Sequence, residues 1–215
     1  MSKLIKAVPA ECVHCDLASY CQSAKRKMEL TKNQELCHAN LEASSFFMVQ
    51  SGVFKVTRVN AKGEECIDHF YLPGELIGFE TLEKKRYPQS IVAVKRASVC
   101  EIQASTLLKF LSLTPTFQLF FLKLMSKRLN ASPNFASLSA EERISCFLLD
   151  LLERTAPKGS SKLTLPMSRE LIGNYLGLAM ETVSRILSRF QERGWIRVER
   201  QSIWIVDAMK LKELS

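Results

Sequence analysis

The segment Met167–Phe190, MSRELIGNYLGLAMETVSRILSRF, determines how the rest of the chain is interpreted. Its pattern predicts a short helix over 169–176, a tight turn at Gly177 and a second helix over 180–190. Ser168 is a suitable N-cap for the first of these helices. Two short helices joined by a turn that contains glycine form a helix-turn-helix, whose second helix enters the major groove of DNA.

The second predicted helix has an apolar face and a polar face. Apolar side chains recur at helical spacing, so that this face is expected to point into the domain. The residues on it are Val183, Ile186, Leu187 and Phe190.

The polar face carries side chains that match the edges of base pairs. Arg185 can donate two hydrogen bonds to guanine, Glu181 can accept one from cytosine N4, and Ser184 can adapt to several bases. Arg189 is better placed for a backbone phosphate. A solvated, charged helix face that binds nothing is the alternative interpretation. The full set of predicted DNA-contacting residues is Ser168, Glu181, Thr182, Ser184, Arg185, Ser188 and Arg189.

The sequence on either side of this motif predicts a small domain of helices and strands. A helical pattern begins at Ala140. After Gly194, the alternating segments 195–198 and 202–206 predict the two strands of a hairpin, the wing of a winged helix-turn-helix.

Residues 28–103 predict a different architecture, made of short strands separated by turns. Apolar and polar residues alternate over 53–59, and the segments 60–63 and 73–74 have turn composition. Short strands at this spacing are typical of a β-sandwich or β-barrel.

Between these two parts the pattern predicts a helix. Apolar residues after Pro115 recur in steps of four and three, as in the seam of a coiled coil, which would make this a dimerisation helix. A helix packed on its own domain is the alternative, and Pro133 is expected to interrupt the helix. The predicted seam consists of Phe117, Phe121, Leu124, Arg128, Ala131, Phe135 and Leu138.

The composition is that of a globular protein that favours polyanionic partners. The 215 residues are 47% hydrophobic and carry a net charge of +8. No apolar run approaches the roughly 18 residues of a membrane span. The first residues lack the apolar core of a signal peptide. We therefore expect a cytoplasmic protein with no membrane partner.

The seven cysteines need an explanation other than disulfides, because the cytosol is reducing. Cys12, Cys15 and Cys21 lie close together, a density typical of metal or redox chemistry. A thiol oxidoreductase built on the first two would need a βαβ context that the chain lacks, so no enzyme is expected. Cys66 and Cys146 are expected to be small core residues.

These motifs together resemble the FNR branch of the CRP/FNR transcription regulators. The stretches 172–178 and 181–185 are similar to the reading head of that branch, and 50–52, 73–79 and 140–143 match elsewhere in the chain. The resemblance implies an α+β fold with a cyclic-nucleotide-binding-like β-roll, a long dimerisation helix and a winged helix-turn-helix. The implied parts are a cysteine-rich cluster-binding segment over 1–27, the β-roll over 28–113, the dimerisation helix over 114–139 and the DNA-binding domain over 140–215.

The resemblance also implies how the protein would act. Glu181, Ser184 and Arg185 would read a TTGAT-like half-site of double-stranded DNA, used twice as an inverted repeat by a homodimer. A surface loop such as Glu80–Arg86 would contact RNA polymerase, an inference that rests on fold analogy.

The cysteines extend the resemblance to a sensor. Cys12, Cys15, Cys21 and Cys100 are similar to the four that hold an oxygen-labile 4Fe–4S cluster, which oxidation would convert to 2Fe–2S or remove. Soft thiolates suit such a cluster, although zinc also accepts four cysteines and a site without metal is possible. The alternative function is a regulator of this family without a cluster, which senses another small ligand or thiol redox state.

Two departures from the family pattern bear on regulation. The family's cyclic-nucleotide site needs an arginine before its Ser or Thr, but here Gln89 precedes Ser90, so control by a cyclic nucleotide is not expected. The dimer helix of the oxygen-sensing branch carries an acidic residue that opposes dimerisation, whereas Ser132 lies near that position here. Dimerisation is therefore expected to depend less on the cluster.

Overall fold

The computed structural model describes residues 26–130, 135–157 and 159–214. The chain divides into two compact units. The first consists of the chain up to Arg58 together with His69–Lys127. The second consists of Val59–Asp68 together with the chain from Arg128 onward. Antiparallel sheets and helices in these units confirm the predicted α+β fold. The predictions made for Cys12, Cys15 and Cys21 lie outside the described residues.

Within the described residues, short strands before residue 104 form two four-stranded sheets, which confirms the predicted β-roll. These strands are β1 (Arg26–Leu30), β2 (Glu35–Cys37), β3 (Ser45–Ser51), β4 (Phe54–Val59), β5 (Glu65–Tyr71), β6 (Leu76–Ile77), β7 (Ser90–Ala93) and β8 (Ala97–Gln103). The order is β1-β8-β3-β6 in one sheet and β2-β7-β4-β5 in the other. Phe54 and Ile77, from different sheets, are completely buried in one apolar cluster, so the two sheets enclose a common core.

The predicted surface loop Glu80–Arg86 contains one turn of helix, α1 (Thr81–Lys84). Thr81 is buried, so the prediction of a surface segment is wrong for that residue. Residues 82–86 are exposed.

Two helices follow the β-roll, α2 (Ala104–Leu113) and α3 (Pro115–Asn130). Pro115 is the first residue of α3, a position where the missing amide hydrogen costs no helical hydrogen bond. In the part of the chain that the structure describes, no single helix is long and apolar enough to cross a membrane; α2 and the first part of α3 pass that test only as a pair, bent by 117°.

The seam predicted for α3 is wrong in its first half. Phe117 and Phe121 are buried against the β-roll, and Phe121 packs edge-on against Phe79 with ring centroids 5.0 Å apart. Leu119 and Leu122, on the opposite side of the helix, are 56% and 61% exposed. Aromatic residues four apart suit a domain core as well as a seam between helices, and the sequence pattern does not distinguish the two.

The chain from Ala140 onward forms the predicted winged helix-turn-helix. Its helices and strands are α4 (Ala140–Thr155), β9 (Lys162–Thr164), α5 (Arg169–Leu176), α6 (Met180–Glu192), β10 (Ile196–Glu199), β11 (Ser202–Ile205) and α7 (Ala208–Leu214). The wing has the strand order β10-β11-β9, and its third strand β9 was not predicted. Phe135, another predicted seam residue, packs edge-on against Tyr175 of α5 with ring centroids 5.4 Å apart, so its assignment to the seam is also wrong.

Two glycines set the turn between α5 and α6. Gly177 ends α5 in the left-handed conformation, with φ of 67°, which L side chains rarely adopt. Gly173 lies one turn earlier, where a Cβ would stand 2.5 Å from the carbonyl oxygen of Leu178. The chain therefore crosses over α5 at a distance that only glycine permits.

We expect Gly173→Ala to destabilise the second unit by about 1–3 kcal/mol, the usual cost of overpacking, because the new methyl meets backbone that has no rotamer to change. Urea denaturation and DNA affinity measure the effect. Gly63→Ala is the control, since a Cβ there meets nothing within 4 Å and only the strain of its φ of 81° is added. Wild-type stability and DNA affinity for Gly173→Ala would contradict this account of the turn.

Candidate nucleic-acid interface

Helix α6 directs its polar residues outward because its apolar face is fully used inside the domain. Each predicted inward side chain is at most 3% exposed, which confirms the predicted orientation. These residues are Val183, Ile186, Leu187 and Phe190. Rotation of the helix about its axis would expose them to water, so packing fixes the direction of the opposite face.

The outward face carries the predicted base-reading residues. Glu181, Arg185 and Ser188 are exposed. Ser184 is half-buried, and its hydroxyl accepts a hydrogen bond from the guanidinium of Arg169 at 3.2 Å. The sequence analysis missed Arg169, because no linear pattern places the first residue of α5 beside the second turn of α6.

Arg189 has an acidic partner within the protein. Its guanidinium forms an ion pair with the carboxylate of Glu141, in the first turn of α4. The same carboxylate lies 3.4 Å from the guanidinium of Arg193, which also stacks over the Trp195 ring at 4.9 Å. The expected contact of Arg189 with a phosphate stays a prediction, and the structure adds a competing partner to it.

Ser168 and Thr182 complete the predicted set. The Ser168 hydroxyl accepts a hydrogen bond from the amide of Leu171 at 3.3 Å, which confirms it as the N-cap of α5. Thr182 is half-buried and lines an open cleft of about 570 Å³ together with Arg185 and Glu141. A direct contact of Ser168 or Thr182 with DNA stays a prediction.

The start of α4 is fixed by a capping box that the sequence analysis did not identify. The Ser139 hydroxyl accepts a hydrogen bond from the amide of Glu142, and the Glu142 carboxylate accepts one from the amide of Ser139. These hydrogen bonds lower the pKa of Glu142. The spacing Ser-x-x-Glu was the available signal, and it also places Glu141 within the first turn of the helix.

The wing presents positive charge beside an indole ring. Lys162 and Arg197 lie over the Trp204 ring, 5.1 Å and 5.3 Å from its centroid. Cation–π contacts of this kind hold long basic side chains in place while their charged ends remain exposed. Arg197 also forms an ion pair with Glu199 at 2.9 Å, whereas Lys162 can present its cation to a phosphate backbone.

Cys100 is the one predicted cluster ligand within the described residues. It lies in β8, is 7% exposed, and its sulfur accepts a hydrogen bond from the Gln50 amide nitrogen at 2.6 Å. Such a donor suits a metal-bound thiolate. In the antiparallel register of the sheet, Cys100 lies opposite Lys27 of the edge strand β1.

The other described cysteines differ in their surroundings. Cys37 is buried in the β-roll, and burial raises the pKa of its thiol to about 12, although its hydrogen bond with Tyr87 acts in the opposite direction. Cys66 and Cys146 are half-buried, so the expectation that both are core residues is wrong. Burial also raises the pKa of Cys146. In the ranges that the structure describes, no group of three His, Cys, Asp or Glu side chains could hold a metal ion.

The outward polar face of α6 defines a DNA-binding protein of the winged helix-turn-helix class, in which a β-roll domain precedes the DNA-binding domain. Comparison with protein families agrees with this assignment. Residues 142–214 match the Crp-like helix-turn-helix domain, and residues 27–113 match the cyclic nucleotide-binding domain. The chain belongs to the CRP/FNR family of transcription regulators.

Individual relatives are similar over most of their length. The chain is 35% identical to the transcriptional activator protein Anr of Pseudomonas aeruginosa, over 98% of this chain and 95% of the relative. It is 36% identical to the anaerobic regulatory protein of Haemophilus influenzae, over 89% and 77%. The solved structure of FixK2 from Bradyrhizobium japonicum is 26% identical, with a TM-score of 0.78 over 88% and 96%. Relatives named as regulators confirm that the chain is not an enzyme.

Proposed function

We propose that this chain is a cytoplasmic, homodimeric transcription activator that reads a TTGAT-like inverted repeat and responds to oxygen through a 4Fe–4S cluster. The observation that carries the proposal is the outward row of Glu181, Ser184 and Arg185 on a helix whose other face is buried. The printed names of similar proteins, a transcriptional activator and an anaerobic regulatory protein, support activation at low oxygen. The exposed residues 82–86 would then contact RNA polymerase.

Base reading follows from spacing on α6. Glu181 and Arg185 are four residues apart, so they are neighbours on one helix face and can reach adjacent base pairs. Ser184 lies beside Arg185, and the hydrogen bond from Arg169 holds its hydroxyl in place. This pattern of one acceptor, one bidentate donor and one adaptable hydroxyl discriminates bases without rearrangement of the helix.

The homodimer is supported by an apolar surface on α3. Leu119 and Leu122 are exposed, lie one helical turn apart, and face away from the β-roll that buries Phe117 and Phe121. A second copy of the same helix would cover them. Dimerisation then places two copies of α6 about one turn of DNA apart, as an inverted repeat requires.

Oxygen response rests on Cys12, Cys15, Cys21 and Cys100 as ligands. When bound, the cluster supplies a centre that oxygen degrades. The Gln50 amide would stabilise the Cys100 thiolate, and the apolar residues around Cys100 limit access of water. Cys100 belongs to the same apolar cluster as Phe117 and Phe121 of α3, so a displacement of its sulfur disturbs the packing of that helix.

We expect Arg185→Ala to lower discrimination between a TTGAT-like duplex and a duplex with substituted half-site bases by about 1–3 kcal/mol. Titration of both duplexes by fluorescence anisotropy measures it. Arg96→Ala is the control, because Arg96 is an exposed arginine whose side chain pairs with Glu29 in the β-roll. Unchanged sequence preference in Arg185→Ala would contradict the proposed reading face.

We expect Leu122→Glu to shift the protein from dimer to monomer, because a carboxylate would replace an apolar contact between two copies of α3. Sedimentation equilibrium measures the change, and affinity for the inverted repeat should fall with it since one half-site is read alone. Val59→Glu, at a residue 71% exposed outside α3, is the control. If Leu122→Glu still formed a dimer as stable as that of the wild type, the dimer interface would lie elsewhere on the protein.

We expect protein purified without oxygen to contain about four irons and four sulfides per chain. Cys100→Ser should lose most of both, whereas Cys146→Ser should retain them because Cys146 lies outside the ligand set. Elemental analysis and visible absorption measure the content. Zinc in place of iron, or a colourless protein that binds DNA fully, would contradict the cluster while leaving DNA recognition intact.

A further inference from the structure

The ion pairs of Glu141 are arranged in a way that DNA reading by itself does not require. Arg189 lies in the last turn of α6 and Arg193, four residues later, is its C-cap residue, so two like charges repel each other across one helical turn. The carboxylate of Glu141 contacts both guanidinium groups and is contributed by a different helix. One acidic side chain therefore engages both guanidinium groups at this end of the recognition helix.

Glu141 is also the least exposed member of the group. Its side chain is 23% exposed, against 42% for Arg189 and 45% for Arg193. The carboxylate is thus more shielded from water than either guanidinium group. It faces the cleft that is also lined by Arg185 and Thr182 of the reading helix, so a DNA backbone that approaches these residues meets Glu141 as well.

We propose that Glu141 limits the sequence-independent part of DNA binding: it occupies Arg189 and Arg193 and so keeps them from adding phosphate contacts beside the base-reading face. Phosphate contacts raise the affinity for every DNA sequence by about the same factor, whereas base contacts raise it only for the correct one. A carboxylate that limits the first kind of contact therefore lowers the affinity for all sequences and leaves discrimination between them to the base contacts. This inference rests on the proposed DNA reading by α6 and concerns a residue that does not touch bases.

Removal of the charge should release the arginines. In Glu141→Gln, we expect the affinity for a shuffled duplex and for the TTGAT-like inverted repeat to rise by the same factor, about tenfold at low salt, so that the ratio of the two affinities stays unchanged. The slope of log affinity against log salt concentration should steepen by about 0.9 for each phosphate newly contacted, or about 1.8 for a dimer with one new contact per protomer. Fluorescence anisotropy at several salt concentrations measures both quantities.

Arg193→Gln separates this role from a structural one. With Glu141 present, the substitution should leave the salt slope unchanged, because Arg193 is already engaged by Glu141; in the Glu141→Gln background it should remove the part of the added slope that Arg193 supplies. The single Arg193→Gln variant keeps the proposal testable even if Glu141→Gln fails to fold. A full loss of one phosphate contact per protomer in Arg193→Gln alone would overturn the proposal.

Asp150→Asn is the matched charge control. Asp150 is also an acidic residue of α4 paired with an arginine, Arg154 at 2.8 Å, and it lies nine residues beyond Glu141 on the opposite side of the helix. An equal steepening in Asp150→Asn and Glu141→Gln would show a general charge effect and overturn the proposal. Failure of the wild-type protein to distinguish the two duplexes would instead refute the proposed function; normal discrimination with an unchanged slope in Glu141→Gln would refute only this inference.

Discussion

The burial of the apolar face of α6 is the constraint on which the DNA-binding unit depends. Four large side chains on that face are almost fully removed from water, each a contribution of about 1.5–3 kcal/mol, so the helix cannot turn about its axis without a large loss. The packing of the apolar face therefore fixes the direction in which the polar residues of α6 point. Other features support this packing. Glycines at the turn allow close approach of the backbone. Arg143 of α4 donates hydrogen bonds to the carbonyls of Leu138, which precedes α4, and Leu176, the last residue of α5.

Local patterns in the sequence were sufficient for the reading head. The helices on both sides of Gly177, the N-cap Ser168 and the hairpin after Gly194 were predicted because each depends on residues close together in the chain. The strands of the β-roll were recognised for the same reason. The resemblance to a known family added the connection between these parts, which periodicity alone does not provide.

The predictions that failed involve contacts between distant residues. Phe117 and Phe121 have the spacing of a seam, but the β-roll offers them a nearer apolar surface. The pairing of Glu141 with Arg189 joins residues that are 48 positions apart, and the hydrogen bond from Arg169 to Ser184 joins two different helices. A side chain that suits a phosphate suits a carboxylate equally well, so composition cannot state which of the two an arginine meets.

Strand β1 has a consequence for contacts between copies of this protein. It is the outermost strand of its sheet, and among the described strands only β8 pairs with it. Three of its five residues, Arg26, Lys27 and Glu29, are charged and exposed. Short edge strands that carry charge resist pairing with a foreign strand, so this margin of the β-roll discourages edge-to-edge aggregation.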